Sequence, residues 1–415
     1  MKLRLPRPSL ALAREMLAFW GSERRTLRQG FTALAISTAV GMAAGMVLGF
    51  MEELLAVLPG LLVLVPAAIG MRGAIFGALG ARLGTGILTG QFEREITPGG
   101  FAHQNLVASA LLTFSSSALA AIAARLIAAV FGLASISVWQ LMIVSMLGGV
   151  LSSAFILVGV VFLARTAQSR NWDMDAIGSP IITATGDIVT LPALVLATFA
   201  ITRVEWLNAT LGIALVAVAI AAVVTGYRSP GPLTRRVVRE SLPVLSYAAV
   251  VDILAGAVLE VQVESLLAEP ALLILIPPFI ANCGSLGGIL SARLGSDLHL
   301  GLISTRRFPE RRANLEGSIT VLFSMAAFTG VGLIAHVAAT VSGFASPGLQ
   351  TMVGITLTGG LLAFVMLFFV AYYAATATYR FGLDPDNHGI PIVTATMDFF
   401  GVLCLVAGMY LFGVI

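Results

Sequence analysis

Apolar residues run through this chain in eleven long, almost uncharged stretches, each of a length to cross a bilayer as a helix. They fall near 31–56, 61–89, 105–132, 137–164, 177–202, 207–227, 242–267, 271–296, 314–340, 349–378 and 389–413. Alternating segments of about ten residues, the mark of a transmembrane barrel, do not occur. The arginines between the stretches keep to one side. Connections after the even-numbered spans carry Arg94; Arg165 and Arg170; Arg228, Arg235, Arg236 and Arg239; Arg306, Arg307, Arg311 and Arg312; and Arg380. The opposite connections are nearly free of Lys and Arg, with Arg203 the exception. The positive-inside rule then predicts a cytoplasmic N-terminus and an external C-terminus.

The few polar residues inside the spans repeat. Residues 173–187 and 384–398 agree at 9 of 15 positions across an offset of 211, and three of the nine are Asp. As helices, both copies align a proline, a threonine and an aspartate on one face: Pro180, Thr183 and Asp187, then Pro391, Thr394 and Asp398. The same offset relates 61–66 to 272–277, Gly73 to Gly284, Arg82 to Arg293, Glu53 to Glu264 and Pro59 to Pro270. Asn105 pairs with Asn314 only after a shift of two residues, which predicts a small gap and its compensation in spans three and four.

The predicted fold is an all-α polytopic membrane protein of about eleven transmembrane helices. A basic N-terminal segment (1–30) precedes a five-helix repeat (31–203), a linker helix with its loop (204–241) and a second five-helix repeat (242–415). Five spans per unit would orient two directly joined units oppositely. The single span between them restores the direction, so the repeats are parallel about an axis along the membrane normal. The last helix of each unit then lies at equal depth, and Asp187 can face Asp398.

Composition narrows the class. Hydrophobic residues make up 58% and charged residues 11% of the chain, with a mean hydropathy of +0.97, against about 25% charged in soluble domains. The chain is expected to reside in the cell (plasma or inner) membrane, with lipid as a partner and no nucleic acid. Cys283 and Cys404 both lie in apolar runs and read as core residues, and four histidines lack metal spacing. The first thirty residues hold seven basic side chains and no compact apolar core, so no cleavable signal is expected; Leu10 to Trp20 suits a short helix on the membrane surface or an ordinary basic tail. Gly41, Gly45 and Gly49 form a small-residue stripe for close helix packing.

Ionisable residues within a span are costly and point to function. Two facing carboxylates in a low-dielectric site need a shared proton or a cation between them. Hard oxygen ligands favour Mg²⁺, with Mn²⁺ or another divalent ion possible; Asp187 and Asp398 would be the central ligands, with Thr183 and Thr394 holding ion-bound water. Pro180 and Pro391 each remove a backbone donor and free a carbonyl toward the path. Asp175 and Asp386 lie twelve residues earlier, about 18 Å along a helix, at one mouth. Glu53 and Glu264 fall at the outer ends of spans one and seven. Those four acids also read as solvated loop acids or caps. Arg82 and Arg293 are expected to snorkel to the interface, while Asn282 has only Met71 opposite it and no symmetric role.

These residues resemble the MgtE-type magnesium transporters, most closely the two-repeat relatives in solute carrier family 41. The resemblance rests on Pro180 to Asp187 and Pro391 to Asp398, on the Asp-x-Asp lead-ins, and on Pro66 to Gly73 and Pro277 to Gly284. It covers both units. It implies a non-enzymatic Mg²⁺ path lined by the last helix of each unit, with Asp187 and Asp398 as ligands. A homodimeric pore in single-repeat members would here be a pseudo-dimer within one chain, with a homodimer of the chain also open. An intramembrane aspartyl protease using the same aspartates, and a proton-coupled solute carrier, stand as alternatives from other classes.

Overall fold

The computed structural model describes residues 10–93, 96–170, 174–203, 208–382 and 389–415, with the backbone alone at 10–13, 25, 174–181, 183, 184 and 390. Fourteen α-helices are described: α1 (Leu10–Ser22), α2 (Arg24–Phe50), α3 (Glu52–Val57), α4 (Leu61–Leu88), α5 (Phe101–Val130), α6 (Val138–Arg170), α7 (Met174–Arg203), α8 (Asn208–Tyr227), α9 (Pro232–Val261), α10 (Val263–Ala268), α11 (Pro270–His299), α12 (Arg311–Ser342), α13 (Leu349–Phe381) and α14 (Ile390–Leu411). Eleven of them, all but α1, α3 and α10, are long and apolar enough to span a membrane. The protein is an all-α polytopic membrane protein.

Spans one and seven end earlier than their hydropathy predicts. α2 stops at Phe50 and α9 at Val261, and the apolar sequence continues into the short helices α3 and α10. The two breaks, at Met51 and Gln262, are themselves 211 residues apart. Glu53 and Glu264 therefore sit exposed in the first turns of α3 and α10, where carboxylates suit a helix N-terminus, rather than at the ends of the long spans.

The offset of 211 holds without a gap. It maps Val138–Arg170 onto Leu349–Phe381, the bounds of α6 and α13. In spans three and nine the residue matching Asn105 is Glu316, not Asn314. Arg82 Nε donates to Asn105 Oδ1 at 2.8 Å, and Arg293 Nε donates to Glu316 Oε2, each pair 23 residues apart. The predicted two-residue shift is corrected: the two positions share the task of accepting from an arginine, not the residue type.

The first helix of each unit crosses over. α2 packs along α11 and α12, and α9 packs along α4 and α5. Glycines make this possible. A Cβ on Gly45 would lie 2.2 Å from the carbonyl oxygen of Ile274, and one on Gly256 would lie 2.1 Å from that of Val63. These contacts are also related by 211. The Ile274 carbonyl has no helical donor four residues on, because Pro278 lacks an N–H. Gly41 continues the stripe, its Cβ position 2.5 Å from Pro278 Cα. α4 and α11 form the centre, with 72% of their most apolar windows buried, whereas α8 lies at the periphery with 22%.

α1 packs against α12. Phe19 is buried, Trp20 Nε1 donates to Ser318 Oγ at 3.0 Å, and the Arg312 guanidinium lies over the Phe19 ring. The apolar side of this helix thus meets protein as well as any lipid.

Gly256→Val should force α4 from α9, at a cost of about 1–3 kcal/mol or more, seen as a lower unfolding temperature of the detergent-purified protein. Gly330→Ala, with nothing within 4 Å of its Cβ position, should be neutral or slightly stabilising.

Candidate functional site

Asp398 stands where the two units meet. Its Oδ1 is 3.6 Å from the Cβ position of Gly284 on α11, and its Oδ2 is 3.6 Å from that of Gly70 on α4. Both are ordinary contact distances, so the carboxylate packs between the two helices. Thr394, one turn earlier on α14, faces the same Gly284, its Cβ 3.8 Å from that glycine's Cβ position. The Thr394 hydroxyl donates to the Pro391 carbonyl at 3.1 Å, so that carbonyl already has one partner. Pro391 reaches a cleft of about 230 Å³ between α4, α9 and α14, together with Arg82, Arg236 and Glu240.

Asp187 lies in the interior of α7, which packs along α4. Thr190, one turn on, returns its hydroxyl to the Gly186 carbonyl at 2.6 Å, and Gly186 abuts Arg72 of α4, whose Cβ is 3.6 Å from the glycine's Cβ position. Asp175, Pro180 and Thr183 are in α7 by backbone, with side chains outside the described residues; Asp386 lies wholly outside them. The structure therefore brings Asp398 and Thr394 together at Gly284, sets Asp187 on the neighbouring α7, and leaves Glu53 and Glu264 exposed on the short helices.

Two buried charges were missed by repeat-based reasoning. Asp252 on α9 is 1% exposed, and its Oδ2 lies 2.5 Å from the Cβ position of Gly70, the glycine that Asp398 also approaches. Its Oδ1 has no hydrogen-bond partner. Arg72 on α4 is also 1% exposed; its guanidinium donates to Ser117 at 2.6 Å and Ser153 at 3.2 Å. Their counterparts at the 211 offset are Gly41 and Cys283. A search for any ionisable residue inside a span would have found both; a search for repeated ones passes over them.

Farther along the bundle, polar contacts fasten the arginine-rich end. Arg293 joins Glu316, itself 1% exposed on its side chain, and Glu23 at 3.2 Å; Arg312 reaches Asp297 at 3.1 Å and Glu316 at 3.3 Å. The expected snorkelling of Arg82 and Arg293 is corrected: both are held by acceptors on the neighbouring helix. Glu23 is kept below the usual carboxylate range by the Thr26 hydroxyl and then by Arg293, against the opposing effect of partial burial. At the opposite end Glu260 accepts from Gly60 N at 2.7 Å and caps α4. Asn282 ties α11 to α2 by donating to Thr38 Oγ1 at 2.9 Å.

Among the described residues, no three His, Cys, Asp or Glu side chains converge tightly enough to hold a bare metal ion. Asp252 and Asp398, both of the second unit, meet instead at Gly70 of the first. That arrangement defines a helical membrane protein with an acidic centre at the junction of two like units. The MgtE family of divalent cation transporters matches residues 65–197 and 276–408, and the chain belongs to this family. It is 23% identical to solute carrier family 41 member 3 of Rattus norvegicus, over 83% of this chain and 78% of that protein. It is equally 23% identical to solute carrier family 41 member 2 of Xenopus laevis, over 95% of this chain and 74% of the relative. No solved structure matches. The family is a transporter family, and neither the protease nor the solute-carrier alternative gains support from these relatives.

Arg293→Met would leave Glu316 buried with Arg312 as its remaining cation. A loss of about 3 kcal/mol is expected, measured as reduced thermal stability in detergent, with no comparable loss for Arg236→Met, whose Glu240 partner is exposed.

Proposed function

We propose that this protein carries Mg²⁺ across the cell membrane along a path between its two five-helix units, with Asp187 and Asp398 as the central ligands. The observation that carries this is the position of Asp398: a membrane-interior carboxylate, between α4 of one unit and α11 of the other, with Asp187 on α7, which packs along the same α4. Two such carboxylates repel at close range in a low-dielectric setting, and a divalent cation relieves that cost.

Mg²⁺ suits the spacing because it dehydrates reluctantly and is commonly bound through its own waters. Asp187 and Asp398 then accept from those waters instead of converging on a bare ion. Thr183 and Thr394 add hydroxyls one turn earlier on the same faces. Mn²⁺ has similar ligand preferences and is the natural competitor. Asp175 and Asp386 stand ahead of the central pair on the arginine-rich side, which the positive-inside rule places in the cytoplasm together with the N-terminus. Pro180, inside α7, leaves the carbonyl four residues earlier without its helical donor, whereas Pro391 lies in the first turn of α14 and displaces no helical hydrogen bond; Glu53 and Glu264 contribute negative charge at the opposite mouth. α8 joins two parallel units, so one chain supplies both halves of the path.

Proteoliposomes containing the wild-type protein and an internal Mg²⁺ indicator test this. Wild type should admit Mg²⁺, and Asp187→Asn with Asp398→Asn should reduce the flux at least tenfold. Intact flux in the double variant would place the path elsewhere, and no wild-type flux under any imposed gradient would remove the transport role.

A further inference from the structure

The repeat equates Asp187 with Asp398, yet the buried charge around them is not symmetric. Unit two adds Asp252 where unit one has Gly41; unit one adds Arg72 where unit two has Cys283. Both additions are 1% exposed and lie in the interiors of spanning helices. Neither is paired with the other. Arg72 is turned toward hydroxyls of α5 and α6, and Asp252 toward Gly70, beside Asp398.

Asp252 Oδ2 and Asp398 Oδ2 lie 2.5 Å and 3.6 Å from one point, the Cβ position of Gly70. Their separation is therefore bounded by the sum of these distances. Within that bound, both carboxylates can reach the hydration shell of one ion. Asp252 Oδ1 is buried with no partner, an expensive state for a carboxylate oxygen unless a ligand or its water completes it. Gly70 is what admits it, since any larger residue would occupy the position of Oδ2.

Resting on the transport role given above, we propose that Asp252 is a third acidic ligand, holding a water of the Mg²⁺ shell and drawing the ion off the pseudo-two-fold axis toward α4, α9 and α14. Arg72 is the balancing charge. Three aspartates and one arginine carry a formal charge of −2, which one divalent cation cancels. The symmetric pair alone would carry the same charge, so the two additions leave the total unchanged while moving the negative charge toward Asp252. The absence of a tight three-residue metal cluster among the described residues fits an ion held through water.

The test is Mg²⁺ binding by the full-length purified protein, read as Mg²⁺-dependent thermal stabilisation and independent of transport. Asp252→Asn should weaken apparent Mg²⁺ affinity at least tenfold, and Asp252→Glu should retain most of it. Gly70→Ala keeps every charge but intrudes on Asp252 Oδ2, and should also weaken binding; it decides the matter should Asp252→Asn fail to fold. Unchanged affinity in Asp252→Asn or, in that event, in Gly70→Ala, with binding lost in Asp398→Asn, would overturn the third ligand and leave the transport role standing. Absence of Mg²⁺ binding in the wild type as well would overturn both.

Discussion

Two glycine-to-carbonyl contacts hold the architecture together. Gly45 lies on the Ile274 carbonyl and Gly256 on the Val63 carbonyl, so each unit inserts its first helix into the other. Within a membrane no hydrophobic gradient drives helices together, and close van der Waals approach with Cα–H to carbonyl contacts takes its place. The crossing brings α9 against α4, which places Asp252 beside Gly70 and Asp398. α9 and α14 of the same unit pack on each other in any case; the crossing adds Gly70 of the other unit beside their carboxylates.

Glycine placement bears most directly on Asp252. Its Oδ2 lies 2.5 Å from the Cβ position of Gly70, where a side chain would force it to move, whereas Asp398 keeps ordinary contact distances of 3.6 Å to the Cβ positions of Gly70 and Gly284. Away from the centre, Glu316 is tied down by Arg293 and Arg312, and Glu260 by the amide of Gly60 just ahead of α4. Asp252, in the interior of α9, keeps one buried carboxylate oxygen without a hydrogen-bond partner.

Hydropathy alone made the eleven spans legible, because uninterrupted apolar length is the constraint a bilayer imposes. Internal comparison made Asp187 and Asp398 legible, since both sit in long matching segments. It failed where chemistry was kept but identity was not. Asn105 and Glu316 do the same work for Arg82 and Arg293, yet the search for matching letters favoured Asn314 and implied a gap. It also failed where symmetry is broken: Asp252 and Arg72 have Gly41 and Cys283 opposite them. The breaks at Met51 and Gln262 were hidden because α3 and α10, despite their glutamates, continue the apolar run with Leu54, Leu55, Leu266 and Leu267. The crossed first helices were beyond reach, for a repeat says which helices are alike and not which ones touch.

Crystals grown with Mn²⁺ in place of Mg²⁺ and measured at the manganese absorption edge would test the central claim most directly. The account predicts an anomalous peak between the Asp187 and Asp398 carboxylates, at the junction of the two units. Manganese bound only outside that junction, with none near either aspartate, would contradict it.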